Sequence, residues 1–164
     1  MNDITTTTEK KNLFKSLVQS SLFTVANKNL ITNWKKDNLG KCYLLSITHY
    51  KGKNPEPYDR FLKIGYSATY SIQSRLSWLP QCFEVEVLGE VIMDKGQAFI
   101  TEQAIHKHFR AYKYNPRHNK WSGSNECYKL SLMDDYTNLN SIIDSIPDMI
   151  KAERNNQNNL MNAI

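Results

Sequence analysis

The chain has 164 residues and a mass of 19.1 kDa, 40% of them hydrophobic and 11% aromatic, which predicts one domain with a real core and excludes a wholly disordered chain. Lys and Arg number 21 against 16 Asp and Glu, a net charge of +5 and a pI near 9.0, which suits a polyanionic partner. Cys42, Cys82 and Cys127 form no close pair, which argues against a disulfide framework or a zinc knuckle, and no run approaches the ~18 apolar residues of a membrane helix. With neither a basic n-region nor an apolar stretch at the start, a cytoplasmic protein is expected.

Residues 1–40 predict a helical extension. Behind four threonines, Leu13, Phe14, Leu17, Val18 and Leu22 recur at helical spacing, and Asn38-Leu39-Gly40 marks a stop. Cys42–Ile47 has the composition of a strand, as has Phe61–Tyr66, and the loop Lys51–Pro57 between them makes a hairpin with a long connection. Ser71–Trp78 predicts a short helix ended by Pro80. Phe83–Leu88 alternates apolar and polar residues like a strand with one buried face. Asp94-Lys95-Gly96 predicts a turn, followed by an amphipathic helix to Ala111 carrying Ala98, Phe99, Glu102, Ile105, His106 and Phe109. After a polar loop, Cys127–Leu132 is expected as a third main strand. Ile142, Ile143, Ile146 and Ile150 suggest a closing helix broken at Pro147, and the Asn-rich end after Lys151 is expected to fray. The fold expected is α+β: a small mixed, largely antiparallel three-stranded central sheet flanked by helices. It divides into an extension at 1–40, a core at 41–132 and a C-terminal helix and tail at 133–164.

Charge is uneven: +3 over residues 1–40, +5 over 41–131 and −3 over 132–164. From Gln103 to Asn125 there is no acid, but there are Lys107, Arg110, Lys113, Arg117 and Lys120. Such a run is either a solvated face or a track for a phosphate backbone. Glu102 opens it as the only carboxylate on its helix. An i,i+4 pair with His106 would explain it at ~0.2–0.5 kcal/mol. A hard-cation ligand beside a phosphate surface explains it equally, because Mg²⁺ is bound by one or two carboxylates and lets phosphate oxygens complete its shell. His106 and His108 lie two apart and face different sides of a helix, so they cannot share a metal. Lys63, in an apolar strand, either snorkels or faces a site.

Tyr43 in a first strand, Lys63-Ile64-Gly65 in a second, Arg75 on the next helix, Glu102 on the following one and Asn125-Glu126-Cys127-Tyr128 before a last strand together resemble the GIY-YIG nuclease superfamily. The closer similarity is to its phage and mobile-element branch, in which the second motif reads K-I-G. The likeness spans roughly Lys41–Leu132. It departs in the first motif, where only Tyr43 survives, and in Leu79, where some restriction members carry a histidine.

The resemblance implies a metal-dependent DNA endonuclease. Glu102 would hold one Mg²⁺ or Mn²⁺, Tyr43 would be the general base with Lys63 as the cation that favours its ionisation, and Arg75 would grip phosphate oxygens bidentately. His106 would orient Glu102, and Asn125 would hydrogen-bond near the scissile phosphate. Lys107, Arg110, Lys113, Arg117 and Lys120 would follow the backbone of double-stranded DNA. Tyr112, Tyr114 and Trp121, interleaved with these cations, would stack on unpaired bases or anchor the loop. A non-cleaving DNA-binding module on the same fold is the competing expectation. A host-interaction protein is a third, and the amphipathic segment 9–30 would serve it, or equally a homodimer.

Overall fold

The computed structural model describes residues 39–69 and 71–163. The expected N-terminal helix, and the dimer surface placed on it, lie outside the described residues. Four strands form one sheet in the order β3-β1-β2-β4, every neighbouring pair antiparallel: β1 (Leu39–Tyr50), β2 (Pro57–Ser67), β3 (Phe83–Asp94) and β4 (Cys127–Tyr128). The helices are α1 (Gln73–Leu76), α2 (Lys95–His108), α3 (Leu132–Asp135) and α4 (Leu139–Met161). The α+β class is as expected, with a fourth strand and no parallel pairing among the described residues.

β1 is central and covered on both faces, which is why its sequence is a nearly continuous apolar run rather than an alternation. One face sends Cys42 and Leu44 into the main core, with Leu62 and Ile64 of β2, Ala98, Ile105 and Phe109 at α2, and the isoleucines of α4. The other sends Tyr43, Leu45 and Ile47 toward Phe61, Ile72, Cys127 and Trp121. The chain therefore has two small cores with the sheet between them.

The structure corrects several sequence expectations. β3 runs to Asp94 rather than Leu88, because the pairing slips between Leu44 and Leu45, where Gly89 and then Val87 stand opposite. The extra residue, Leu88, is a β-bulge that turns the odd-numbered side chains from one face to the other: Phe83 and Val85 pack in the second core, Val91 and Met93 in the main one, and the strand continues. No turn separates it from α2, which starts at Lys95 and ends at His108, before a 3₁₀ turn at Arg110–Tyr112. β4 is only two residues long. Lys129 donates its N–H to the Tyr112 carbonyl at 2.8 Å, and the chain then coils into α3 to bury Leu132.

The closing helix runs unbroken through Pro147 and the Asn-rich stretch to Met161. Asn138 and Ser141 close a capping box at its start, and Ile142, Ile143, Ile146 and Ile150 are buried on both sides of the proline. That packing outweighs the ~3 kcal/mol that proline costs in a helix interior. Pro147→Ala is therefore expected to stabilise the protein by about 1–3 kcal/mol, read as a higher urea midpoint at unchanged slope. Among the described residues, no helix is long and apolar enough to cross a membrane.

Candidate active site

Glu102 lies on the inner side of α2 and is 2% exposed. Gln103 donates to its Oε2 at 2.6 Å, and Nε2 of His106, one turn on, meets its Oε1 at 2.8 Å. Nδ1 of His106 is hydrogen-bonded to the Tyr128 hydroxyl, with the two rings stacked at 5.7 Å, and the Lys113 ammonium stands 3.5 Å from the same nitrogen. An ammonium can only donate, so Nδ1 accepts and Nε2 carries the proton given to Glu102. The pair is thus more than the weak surface contact that i,i+4 spacing alone suggests. Tyr128, His106 and Glu102 form a directed chain that fixes the carboxylate. Burial and the carboxylates of Glu102 and Glu126 push the Tyr128 phenol far up, keeping its hydroxyl protonated.

Glu126, just before β4, brings a second carboxylate. Single ligand atoms of Glu102, His106 and Glu126 lie within 4.8 Å of one another. Oε2 of Glu126 accepts from the Lys63 ammonium at 2.5 Å, and Lys63 also donates to the Gly123 carbonyl at 3.2 Å. Asn125, the residue that the resemblance assigns to the site, lies one position away. Asn125 is exposed and contributes its carbonyl, which accepts from Lys113 at 2.8 Å. Glu126 belongs to the same Asn125–Tyr128 motif, but its type and spacing give it no role in the sequence. No periodicity marks a residue in the loop before a two-residue strand, and only the fold shows which neighbour turns inward.

Tyr43 and Lys63 share a sheet face but are not direct partners. Tyr43 stands opposite Gly65, and Lys63 opposite Leu45. A Cβ on Gly65 would lie 2.5 Å from the Tyr43 hydroxyl oxygen, so glycine is required there to leave the phenol its place. That hydroxyl hydrogen-bonds to none of the described residues. Burial, then the Glu126 carboxylate, push the Tyr43 phenol up to about 12; the Arg75 guanidinium opposes them, and Glu102 adds to the rise. Arg75 is thus a cation that acts on Tyr43. The Lys63 ammonium, which the resemblance assigns to the same task, is hydrogen-bonded to Glu126. Arg75 also lies over the Tyr66 ring, at 5.7 Å.

The acid-free basic run is not acid-free in space. Lys107 pairs with Glu153 of α4 at 3.3 Å, Lys113 enters the site, and the Arg117 guanidinium lies 4.8 Å over the Tyr58 ring while its backbone N–H donates to Asp59 at 2.9 Å. Arg110 and Lys120 are exposed. The aromatics between them anchor the loop: Tyr114 donates to Asp59 at 2.6 Å, Trp121 to the His118 carbonyl at 2.7 Å, and Tyr112 to Asp135. A groove of about 320 Å³ beside α1, lined by Lys41, Ile72, Leu76, Val87 and Glu90, contains none of the site's ionisable groups.

A family model, the T5orf172 domain, matches residues 40–146, which is most of the chain and all of the site. The chain belongs to the T5orf172 domain family. This phage-associated domain is related to nuclease-like folds of the GIY-YIG and HNH kinds, and a nuclease-like or DNA-binding role is consistent with it. Its limits coincide with the start of β1 and the middle of α4, so the T5orf172 match takes in the sheet, α2 and the first isoleucines that cover them. Neither the curated proteins nor the solved structures contain a match.

Proposed function

We propose that this T5orf172 domain is a metal-dependent endonuclease of the GIY-YIG type that hydrolyses DNA phosphodiesters. The observation that carries the reading is the buried Glu102 carboxylate, oriented by His106 and Tyr128, within reach of a second carboxylate and bordered by Lys63, Lys113 and the hydroxyl of Tyr43, which has no hydrogen-bond partner among the described residues. Burying a carboxylate is costly unless something compensates its charge. A hard divalent cation does so, and an all-oxygen donor pair suits Mg²⁺ or Mn²⁺ better than zinc.

Glu102 would hold the ion, which when bound neutralises phosphate oxygens and the leaving oxygen. The chain's own residues do the rest. Tyr43 takes a proton from the attacking water, Arg75 binds phosphate oxygens with its planar fork, and His106 keeps the Glu102 carboxylate in one orientation. With Tyr43 raised, its ionised fraction grows about tenfold per pH unit below its pKa. Cleavage at saturating metal is therefore expected to climb steadily from pH 7 to pH 9.5. A flat profile would remove Tyr43 from the role of base.

The test is incubation of purified protein with supercoiled plasmid in Mg²⁺, Mn²⁺ or EDTA. Metal-dependent nicked or linear product supports the reading. A retarded band that weakens with salt, without cutting, would instead identify a DNA-binding module.

A further inference from the structure

We infer that Glu126 is a second carboxylate ligand for the cation held by Glu102, kept in reserve by an ion pair with Lys63. The inference rests on the proposed function and adds a residue to its site.

The geometry supports a delivery arrangement rather than a plain structural salt bridge. Glu126 side-chain atoms are one-third exposed, whereas Lys63 is nearly buried, so the carboxylate is the partner with room to move. Among the described residues, Lys63 is the only side chain bonded to Glu126. Lys63 has a second acceptor, the Gly123 carbonyl, and Trp121's ring 5.6 Å away, so it keeps partners if Glu126 leaves. The loop is shaped for this. Gly123 has φ +89°, a left-handed conformation, and a Cβ there would lie 2.6 Å from the Lys63 ammonium nitrogen and 3.1 Å from Glu126 Oε2. Glu126 also donates its own N–H back to the Gly123 carbonyl at 3.0 Å, which fixes the base of its side chain beside that carbonyl.

The charges exchange without a deficit. Glu102 and Glu126 facing one another unneutralised would repel, and Lys63 supplies the compensating charge until a divalent ion does so. Once Glu126 joins the ion, the Lys63 ammonium is released from its carboxylate toward the same pocket, where a phosphate is the natural counter-charge. Two carboxylates and several waters are an ordinary shell for Mg²⁺.

The measurement is binding of Mn²⁺ alone, without DNA, to the full chain, counting free ion by electron paramagnetic resonance. Glu126→Gln is expected to weaken Mn²⁺ binding at least tenfold. Lys63→Met, which frees the carboxylate without altering a ligand, is expected to tighten it, and to do so far less in the Glu126→Gln background. If Glu126→Gln leaves the affinity within about twofold while Glu102→Gln abolishes binding, the inference is overturned and the one-carboxylate site stands. If Glu102→Gln also leaves binding unchanged, the proposed metal site itself falls. Lys63→Met with no effect on affinity would equally overturn the ion-pair reserve.

Discussion

Replacing Glu102 with glutamine should lower plasmid cleavage by about a thousandfold, the ~4 kcal/mol typical of losing a major charge-stabilising group, while DNA affinity stays within about threefold. The contrast follows from where Glu102 sits. It is buried, so it makes little of the DNA-facing surface, and the exposed cations Arg110, Arg117 and Lys120 are untouched by the change. Glutamine keeps the volume and an oxygen for the His106 Nε2–H, so the Tyr128–His106 chain has no reason to collapse. What disappears is the negative charge. The comparison is cleavage rate, filter-binding affinity and thermal midpoint on the same preparation. Loss of cleavage, binding and folding together would make Glu102 a structural residue.

Gly65→Ala should also lower cleavage strongly, and it separates position from chemistry at Tyr43. The added methyl would overlap the Tyr43 hydroxyl oxygen at 2.5 Å and its ring carbon at 2.6 Å. β1 is paired on both sides at Tyr43, with Gly65 of β2 and Glu90 of β3, so the phenol is displaced more readily than the strand that carries it. Displacing a reacting group by an ångström costs about a hundredfold in rate. Overpacking a tight site costs about 1–3 kcal/mol in stability. Tyr43→Phe removes the hydroxyl but keeps the ring, so it should reduce cleavage at least as much with little change in stability. Urea unfolding beside initial cleavage rates distinguishes the two. Full activity in Tyr43→Phe would show that the phenol is only a core residue.

Local pattern carried a good part of this fold. The double-sided burial of β1 left an apolar run, the K-I-G segment fell in β2, and the apolar face of α2 was visible at helical spacing. The candidate residues Tyr43, Lys63, Arg75, Glu102 and His106 were each found in the expected kind of element. The misreadings occurred where a local rule competed with a tertiary contact. The bulge at Leu88 passes β3 from one core to the other, and Pro147 is tolerated because isoleucines on either side of it are buried.

Composition and spacing were sufficient for the class of fold and for the types of residue at the site, because burial imposes a period and helix spacing sets Glu102 against His106. They were not sufficient for the partners. That the Arg75 guanidinium acts on Tyr43, that Lys63 is held by Glu126, and that Lys107 meets Glu153 while the Arg117 backbone meets Asp59 all depend on which distant segments meet. Pairing across 60 residues is decided by strand register and loop geometry, and electrostatic interactions fall off over ångströms in space whatever the separation along the chain.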